Sequence, residues 1–266
     1  MNQYKSVFLS DIHLGFSGCQ SDKLLNFLNN TKCEKLFLVG DIVDFWSMND
    51  KFFWPKEHQE VIDAFLKAQE NGTEVFLITG NHDDPMRAEA EFEELAKRSD
   101  EYKRICNSLK KFKISDKFEY KTHAHGNLLV IHGDQYDVVT SNIKWLSKFG
   151  GFLYDLLIKI NRPMSKALKT VAKSTVNKAS SFQKNVKKDC LKKPYDGLLC
   201  GHIHAPEIKR FPEYLYLNTG DWIESCTAIT ESFDGTLELA TFRTVSYTHL
   251  TLQTTYTVVL SGVGGC

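Results

Sequence analysis

Apolar positions in this chain follow two periods. Short apolar runs, each closing on a turn, recur at 4–10, 35–39, 74–79, 127–131, 197–200 and 214–218. Several are continuous rather than alternating, as in Phe37-Leu38-Val39 and Phe76-Leu77-Ile78. Continuous apolar runs suit strands covered on both faces. Between the early runs the spacing becomes helical. Leu24, Leu25 and Leu28 share one face of 22–30; Val61, Ile62, Phe65 and Leu66 share one face of 55–70, which stops at Asn71-Gly72. A further charged, helix-favouring stretch runs from 85 to about 111. Strand–helix alternation predicts an α/β sandwich. The runs between 214 and 243 come too close together for crossover helices, so part of the sheet structure is expected to be antiparallel.

The pattern breaks at 140–193. Trp145, Leu146, Phe149, Phe152, Leu153, Leu156, Leu157 and Ile160 keep a helical period, interrupted by Gly150-Gly151. The same stretch holds thirteen Lys and Arg but only two acids, Asp155 and Asp189. The chain as a whole has 33 basic and 33 acidic residues, so its zero net charge hides a basic insertion on an acidic body. The segment reads as an inserted helical subdomain with an apolar and a basic face. Three roles suit it: a solvated surface, a lid resting on anionic lipid, or a nucleic-acid contact. Its Lys-rich, Arg-poor composition disfavours the last, because base readout favours Arg forks.

At 266 residues, 42% hydrophobic and 25% charged, the chain is of globular type, one large domain or one domain with an insertion. No run approaches the roughly 18 apolar residues of a membrane span. The N-terminal residues lack a basic segment followed by a cleavable apolar core, so no secretory signal is expected. Seven scattered cysteines with no C-x-x-C suit a reducing compartment rather than a disulfide scaffold or zinc cage. Residues 244–266 contain no Asp, Glu, Lys or Arg, and 246–252 look like translated sequencing-adapter text. That stretch is set aside as a non-native tail, the other reading being a last β-hairpin.

Five blocks carry the candidate chemistry: Ser10-Asp11-Ile12-His13, Gly40-Asp41-Ile42-Val43-Asp44, Gly80-Asn81-His82-Asp83, His132-Gly133-Asp134 and Gly201-His202-Ile203-His204. Each follows an apolar strand, where the ligands of α/β sheets gather. Imidazole, carboxylate and amide oxygen without thiolate suit Mn²⁺, Fe²⁺, Co²⁺ or Zn²⁺ better than Ca²⁺. One acid between two cations would hold them about 3.5–4 Å apart, the spacing of two-metal phosphoester sites. Singly, each block is usually a turn or an ordinary histidine; five in this order and context point to one centre. His123 and His125 precede a strand rather than follow one and read as structural. His58 reads as a surface residue of a helix, and 218–222 as scaffold near the site.

The ordered blocks resemble the calcineurin-like metallophosphoesterase superfamily over about 4–139 and 194–243, with 140–193 as an insertion. The strings Leu-Ser-Asp-Ile-His-Leu-Gly, Gly-Asp-Ile-Val-Asp-Phe-Trp and His-Gly-Asp-Gln-Tyr-Asp resemble its UDP-2,3-diacylglucosamine diphosphatase branch. The resemblance implies a layered α/β sandwich with mixed sheets flanked by helices, a helical lid, and two divalent metal ions, Mn²⁺ foremost. It implies Asp11, His13 and His204 on one metal, Asn81, His132 and His202 on the second, and Asp41 bridging. His82 matches the family's non-ligand histidine beside the phosphate, and Asp44 the acid that orients it. Asp83 and Asp134 read as supporting or turn residues. One position departs: the diphosphatase branch commonly has Arg where this chain has His82.

The resemblance favours the lid among the three roles of the insertion. The function expected is hydrolysis of the pyrophosphate bond of UDP-2,3-diacylglucosamine to UMP and 2,3-diacylglucosamine 1-phosphate. Trp46, Trp145, Phe149 and Phe152 are the candidate substrate contacts. The expected partners are a lipid-linked nucleotide sugar and, through the basic insertion, an anionic membrane surface; no nucleic acid is expected. The expected location is cytoplasmic, against the inner face of the cytoplasmic membrane. Two alternatives stand beside this: a phosphoesterase acting on phosphoprotein, cyclic nucleotide or nucleic acid, and a non-catalytic metal-binding scaffold.

Overall fold

The computed structural model describes residues 2–136, 182, 185–186 and 195–242. Trp145, Phe149 and Phe152, most of the 140–193 insertion and the 244–266 tail lie outside the described residues.

The chain begins with β1 (Asn2–Leu9), α1 (Ser21–Asn29), β2 (Thr31–Val39), α2 (Phe45–Asp50), α3 (Lys56–Glu70) and β3 (Glu74–Ile78). A short 3₁₀ turn (Asp84–Arg87) leads to α4 (Glu89–Ala96), α5 (Asp100–Leu109), β4 (Lys113–Ser115), β5 (Lys117–Lys121) and β6 (Asn127–Ile131). After the insertion come β7 (Gly197–Cys200), β8 (Glu207–Arg210), β9 (Leu215–Asn218), β10 (Thr227–Glu231) and β11 (Leu237–Thr241).

Two mixed sheets result. The first has the order β11-β10-β1-β2-β3-β4, the second β5-β6-β7-β9-β8. In the first, β1 to β4 are parallel and β10 and β11 are antiparallel additions. In the second, β6, β7 and β9 are parallel, with β5 and β8 antiparallel at the edges. The late strands therefore divide: β9 joins the parallel set, while β8, β10 and β11 run against their neighbours.

Alternation explains the continuous apolar runs. Phe8, Phe37, Val39, Ile78, Leu128, Val130, Leu199, Leu215, Leu217 and Ile229 interdigitate between the sheets. Their strand neighbours Val7, Leu9, Leu36, Leu38, Val75 and Leu77 face the opposite way and pack with Leu24, Val61, Phe65, Phe92 and Ile105 of the helices. Leu129, Ile131, Leu198, Cys200 and Tyr216 face outward from the second sheet and meet Phe182 and Val186. Both faces of the central strands are thus buried. Phe8, Phe37 and Phe76 form a ladder across β1, β2 and β3, with ring centroids 4.8 and 4.6 Å apart.

The single helical stretch expected over 85–111 is broken. Ser99 accepts a hydrogen bond from Tyr102 N at 3.3 Å and so caps a new helix, α5. Among the described residues no helix is long and apolar enough to cross a membrane.

Candidate metal centre

The loops after β1, β2, β3, β6 and β7 all leave the sheets at their carboxyl ends. They lie side by side because their backbones bond to one another. Asp11 N donates to Gly40 O at 3.0 Å, His13 N to Asp41 O at 2.9 Å, and Gly201 N to His132 O at 3.0 Å. Asp11, His13, Asp41, His202 and His204 all take positive φ, between 50° and 68°. A side chain there costs roughly 1–3 kcal/mol, a conformation held only where surrounding structure enforces it. Gly80 makes room for Asp41, since a β-carbon there would collide with its carboxylate.

Nine expected residues converge. His204 Nε2 lies 3.1 Å from Asp11 Oδ1. His13 Nε2 and His132 Nε2 lie 3.9 and 3.3 Å from the same Asp41 oxygen, Oδ2. Asn81 Oδ1 is 3.2 Å from His132 Nε2. The His202 ring stands edge-on to His132, centroids 5.1 Å apart. Three groups of candidate ligand atoms, each within 4.8 Å of one another, follow: Asp11/His13/His204, His13/Asp41/His82 and Asp41/His132/His202. His82 Nδ1 is 2.8 Å from Asp44 Oδ1, and His82 N donates to Asp41 Oδ1 at 2.8 Å.

The ring orientations are set from behind. His132 Nδ1 faces Val39 O at 3.1 Å, and a carbonyl can only accept, so Nδ1 carries a hydrogen and Nε2 is the ring atom turned towards Asp41. His13 Nδ1 lies 3.2 Å from Asp44 Oδ2 and leaves its Nε2 on the Asp41 side. Asp44 therefore serves two histidines, His13 and His82, and also caps α2 through Ser47 N at 2.8 Å.

Asp11 Oδ1 and His13 Nε2 are buried yet lack a well-directed hydrogen bond. Such groups are costly unless something completes them. Burial alone would raise the Asp11 carboxyl, but the His204 and His132 imidazoles hold it at about 2. Burial likewise opposes ionisation of Asp41, yet His132, His82 and His13 keep it well below the usual carboxylate range. Burial would lower the histidines, but Asp41 and Asp11 push His132 up to about 10, and Asp11 and Asp221 push His204 up to about 9. Without cations, imidazolium charge balances the carboxylates. Buried orphan atoms, ionised acids and a thiolate-free donor set fit two borderline divalent cations.

Other expected residues are accounted for as follows. Asp83 is buried and accepts from Ile42 N, Val43 N and Gly80 N at 3.1, 2.9 and 3.2 Å. Burial and the neighbouring Asp41 charge raise its carboxyl to about 6. Trp46 lies against the His82 ring, centroids 4.4 Å apart. His125 Nδ1 lies 2.8 Å from an Arg210 guanidinium nitrogen, and His123 N donates to Glu231, outside the ligand groups. His58 is not on the surface: it is 2% exposed, because its Nδ1 accepts Gly15 N at 2.9 Å and draws the ring under the first loop. Within 218–222, Asp221 Oδ2 lies 4.0 Å from His204 Nδ1. Sequence reasoning passed over Ser10, whose hydroxyl bonds Asp11 and Thr219, and Arg87, which reaches Asp134 at 2.9 Å. Ser10 opens the first block but is not itself a metal-binding residue type, and Arg87 lies outside all five blocks.

The family profile for calcineurin-like phosphoesterases matches residues 4–206. The chain is 25% identical over 236 residues to UDP-2,3-diacylglucosamine hydrolase of Haemophilus influenzae, the match covering 84% of this chain and 93% of that protein. Among solved structures, it is similar to hypothetical protein PH1004 from Pyrococcus horikoshii (14% identity, 90% and 87% of the two chains, TM-score 0.49). It is also similar to Yfce, a phosphoesterase from E. coli (12% identity, 90% and 99% covered, TM-score 0.41).

Proposed function

Because the chain belongs to the calcineurin-like phosphoesterase family, we propose that it is a dimetal hydrolase that splits the pyrophosphate bond of UDP-2,3-diacylglucosamine. The products are UMP and 2,3-diacylglucosamine 1-phosphate. The observation that carries the metal-dependent part is the Asp41 carboxylate, with imidazoles of two separate ligand groups on one of its oxygens. The substrate rests on the similarity, over 84% of this chain, to a protein bearing that name.

Asp11, His13 and His204 would hold one cation, and Asn81, His132 and His202 the other, with Asp41 reaching both. When bound, the pair supplies positive charge to phosphoryl oxygens and makes a water acidic enough to ionise near neutral pH. The remaining steps fall to the protein's own groups. Asp44 fixes His82 through Nδ1, which leaves Nε2 for the substrate. Burial works against a charged His82, but the hydrogen bond to Asp44 and the Asp41 charge raise its pKa and favour the protonated ring. A protonated His82 donates to a phosphoryl or leaving oxygen as negative charge grows there. Trp46, its ring tilted against that of His82, forms a wall for the sugar or base. The cation is taken to be Mn²⁺, and the basic insertion is taken to rest on the anionic inner surface of the cytoplasmic membrane.

One feature favours a second reading, a phosphoesterase for esters with poorer leaving groups. His82 stands where the diphosphatase branch commonly has Arg, and a histidine can hand a proton to an alkoxide. Purified protein, Mn²⁺ and UDP-2,3-diacylglucosamine should yield UMP by mass spectrometry. Hydrolysis of bis-p-nitrophenyl phosphate without release of UMP would favour the second reading. Loss of both would sink the enzymatic one.

A further inference from the structure

The Asn81/His132/His202 half of the centre draws its ligands from both sheets. Asn81 follows β3 of the first sheet, while His132 and His202 follow β6 and β7 of the second. Asn81 Oδ1 and His132 Nε2 meet at 3.2 Å across that seam. Something must set the gap, since the two loops belong to different sheets.

We propose that Arg87 is the positioning residue that sets this gap and thereby tunes cation affinity at this half of the centre alone. Arg87 ends the 3₁₀ turn that follows the Asn81 loop. Its guanidinium donates to Thr79 O at 3.1 Å and to Thr79 Oγ1 at 3.3 Å, two residues before Asn81. It donates to Asp134 Oδ2 at 2.9 Å, two residues beyond His132. Asp116, just past β4, lies 3.6 Å from Nε, and the Thr79 hydroxyl bonds the same Asp116 oxygen. One planar fork thus ties the ends of β3, β4 and β6. The side chain is 31% exposed and its Asp134 partner 16%, so water screens the pair only in part. With Nε and Nη2 directed at Thr79 and Asp134, and Nη1 3.5 Å from Asp84 Oδ1, Arg87 acts through the two loops and not on the substrate. Lysine cannot take its place: a point charge on a flexible stem reaches one acceptor at a time, whereas the fork holds several at once. The other half, Asp11/His13/His204, is held by separate bonds from Trp222 N to Asp11 O and from His13 N to Asp41 O, so it should not feel the change.

The inference rests on the dimetal reading above, and its test separates the two. Mn²⁺ binding is followed by the room-temperature EPR signal of the free ion for the full chain and for Arg87→Lys, Arg87→Gln and Asp134→Asn. Low-temperature spectra report whether bound ions are exchange-coupled, and thermal unfolding of the metal-free proteins reports folding. The native chain is expected to bind two Mn²⁺ with a coupled signal. Each variant should keep one ion near native affinity, lose affinity for the other by about 10–100-fold, the range for changes behind metal ligands, and lose the coupled signal. Arg87→Gln combined with Asp134→Asn should weaken it no further than either alone. Two ions retained within two-fold in a folded Arg87→Lys would overturn the role of Arg87 and leave the dimetal reading standing. Equal weakening of both ions would also overturn it. No Mn²⁺ binding by the native chain would overturn both. If Arg87→Lys fails to fold, Asp134→Asn, which leaves the guanidinium in place, decides by the same criteria.

Discussion

Asp41 and His82 sit a single hydrogen bond apart, yet their proposed tasks differ. Asp41 lies between ligands drawn from four loops, so removing its charge should leave the buried imidazoles with no shared anion. Asp41→Asn is expected to reduce turnover to background. His82→Ala should leave measurable release of UMP, because a departing phosphate needs little protonation. The loss should fall near the lower end of the roughly 10²–10⁴-fold usual for a positioned acid. Steady-state assays of both variants check this division, and equal, near-complete loss would refute it. The nine central residues are legible in the sequence because each follows an apolar strand and carries a distinctive side chain. Asp83 and Arg87 are less legible. Asp83 bonds only main-chain amides, and Arg87 bonds a carbonyl, a hydroxyl and carboxylates that any loop can offer. Residue type alone says nothing of such partners.

At the scale of elements, α3 is tied to the first metal loop through a neutral His58. Burial lowers its pKa to about 4, against about 6.5 for a histidine in the unfolded chain. Between those values the unfolded chain binds more protons, so stability is complete above pH 6.5 and falls as pH drops towards 4. Wild type should lose about 2 kcal/mol more than His58→Asn between pH 7 and 4.5, as read by urea denaturation. Asparagine keeps an acceptor near the Nδ1 position and cannot titrate there. Equal losses in the two proteins would count against a neutral His58. The surface placement expected from sequence failed here because helical periodicity marks an apolar face by its apolar residues, and a histidine on that face gives no sign. Strands were legible where apolar runs were continuous, as in β2 and β3. The edge strands β5 and β8 were not, since Lys117, Glu119, Lys121, Lys209 and Arg210 face water.

At the scale of the molecule, charge is divided between an acidic body and a basic insertion. Replacing Lys144, Lys148, Lys159, Lys166, Lys169 and Lys173 by Gln should weaken co-sedimentation with anionic vesicles, at up to about 1 kcal/mol per cation near the surface. It should leave binding to neutral vesicles as it was. Unchanged anionic binding would refute the membrane role. Substitution is the right tool because deletion would be confounded. Phe182 is 3% exposed, and Val186 is fully buried against the second sheet. The Phe182 ring centroid lies 5.9 Å from that of Tyr136 and 6.4 Å from that of the candidate ligand His202. A β-carbon on Gly133, beside His132, would come within 2.9 Å of the same ring. A deletion that crosses Phe182 and Val186 would therefore strip the packing from one side of the candidate ligand His202 and uncover the outer face of the second sheet.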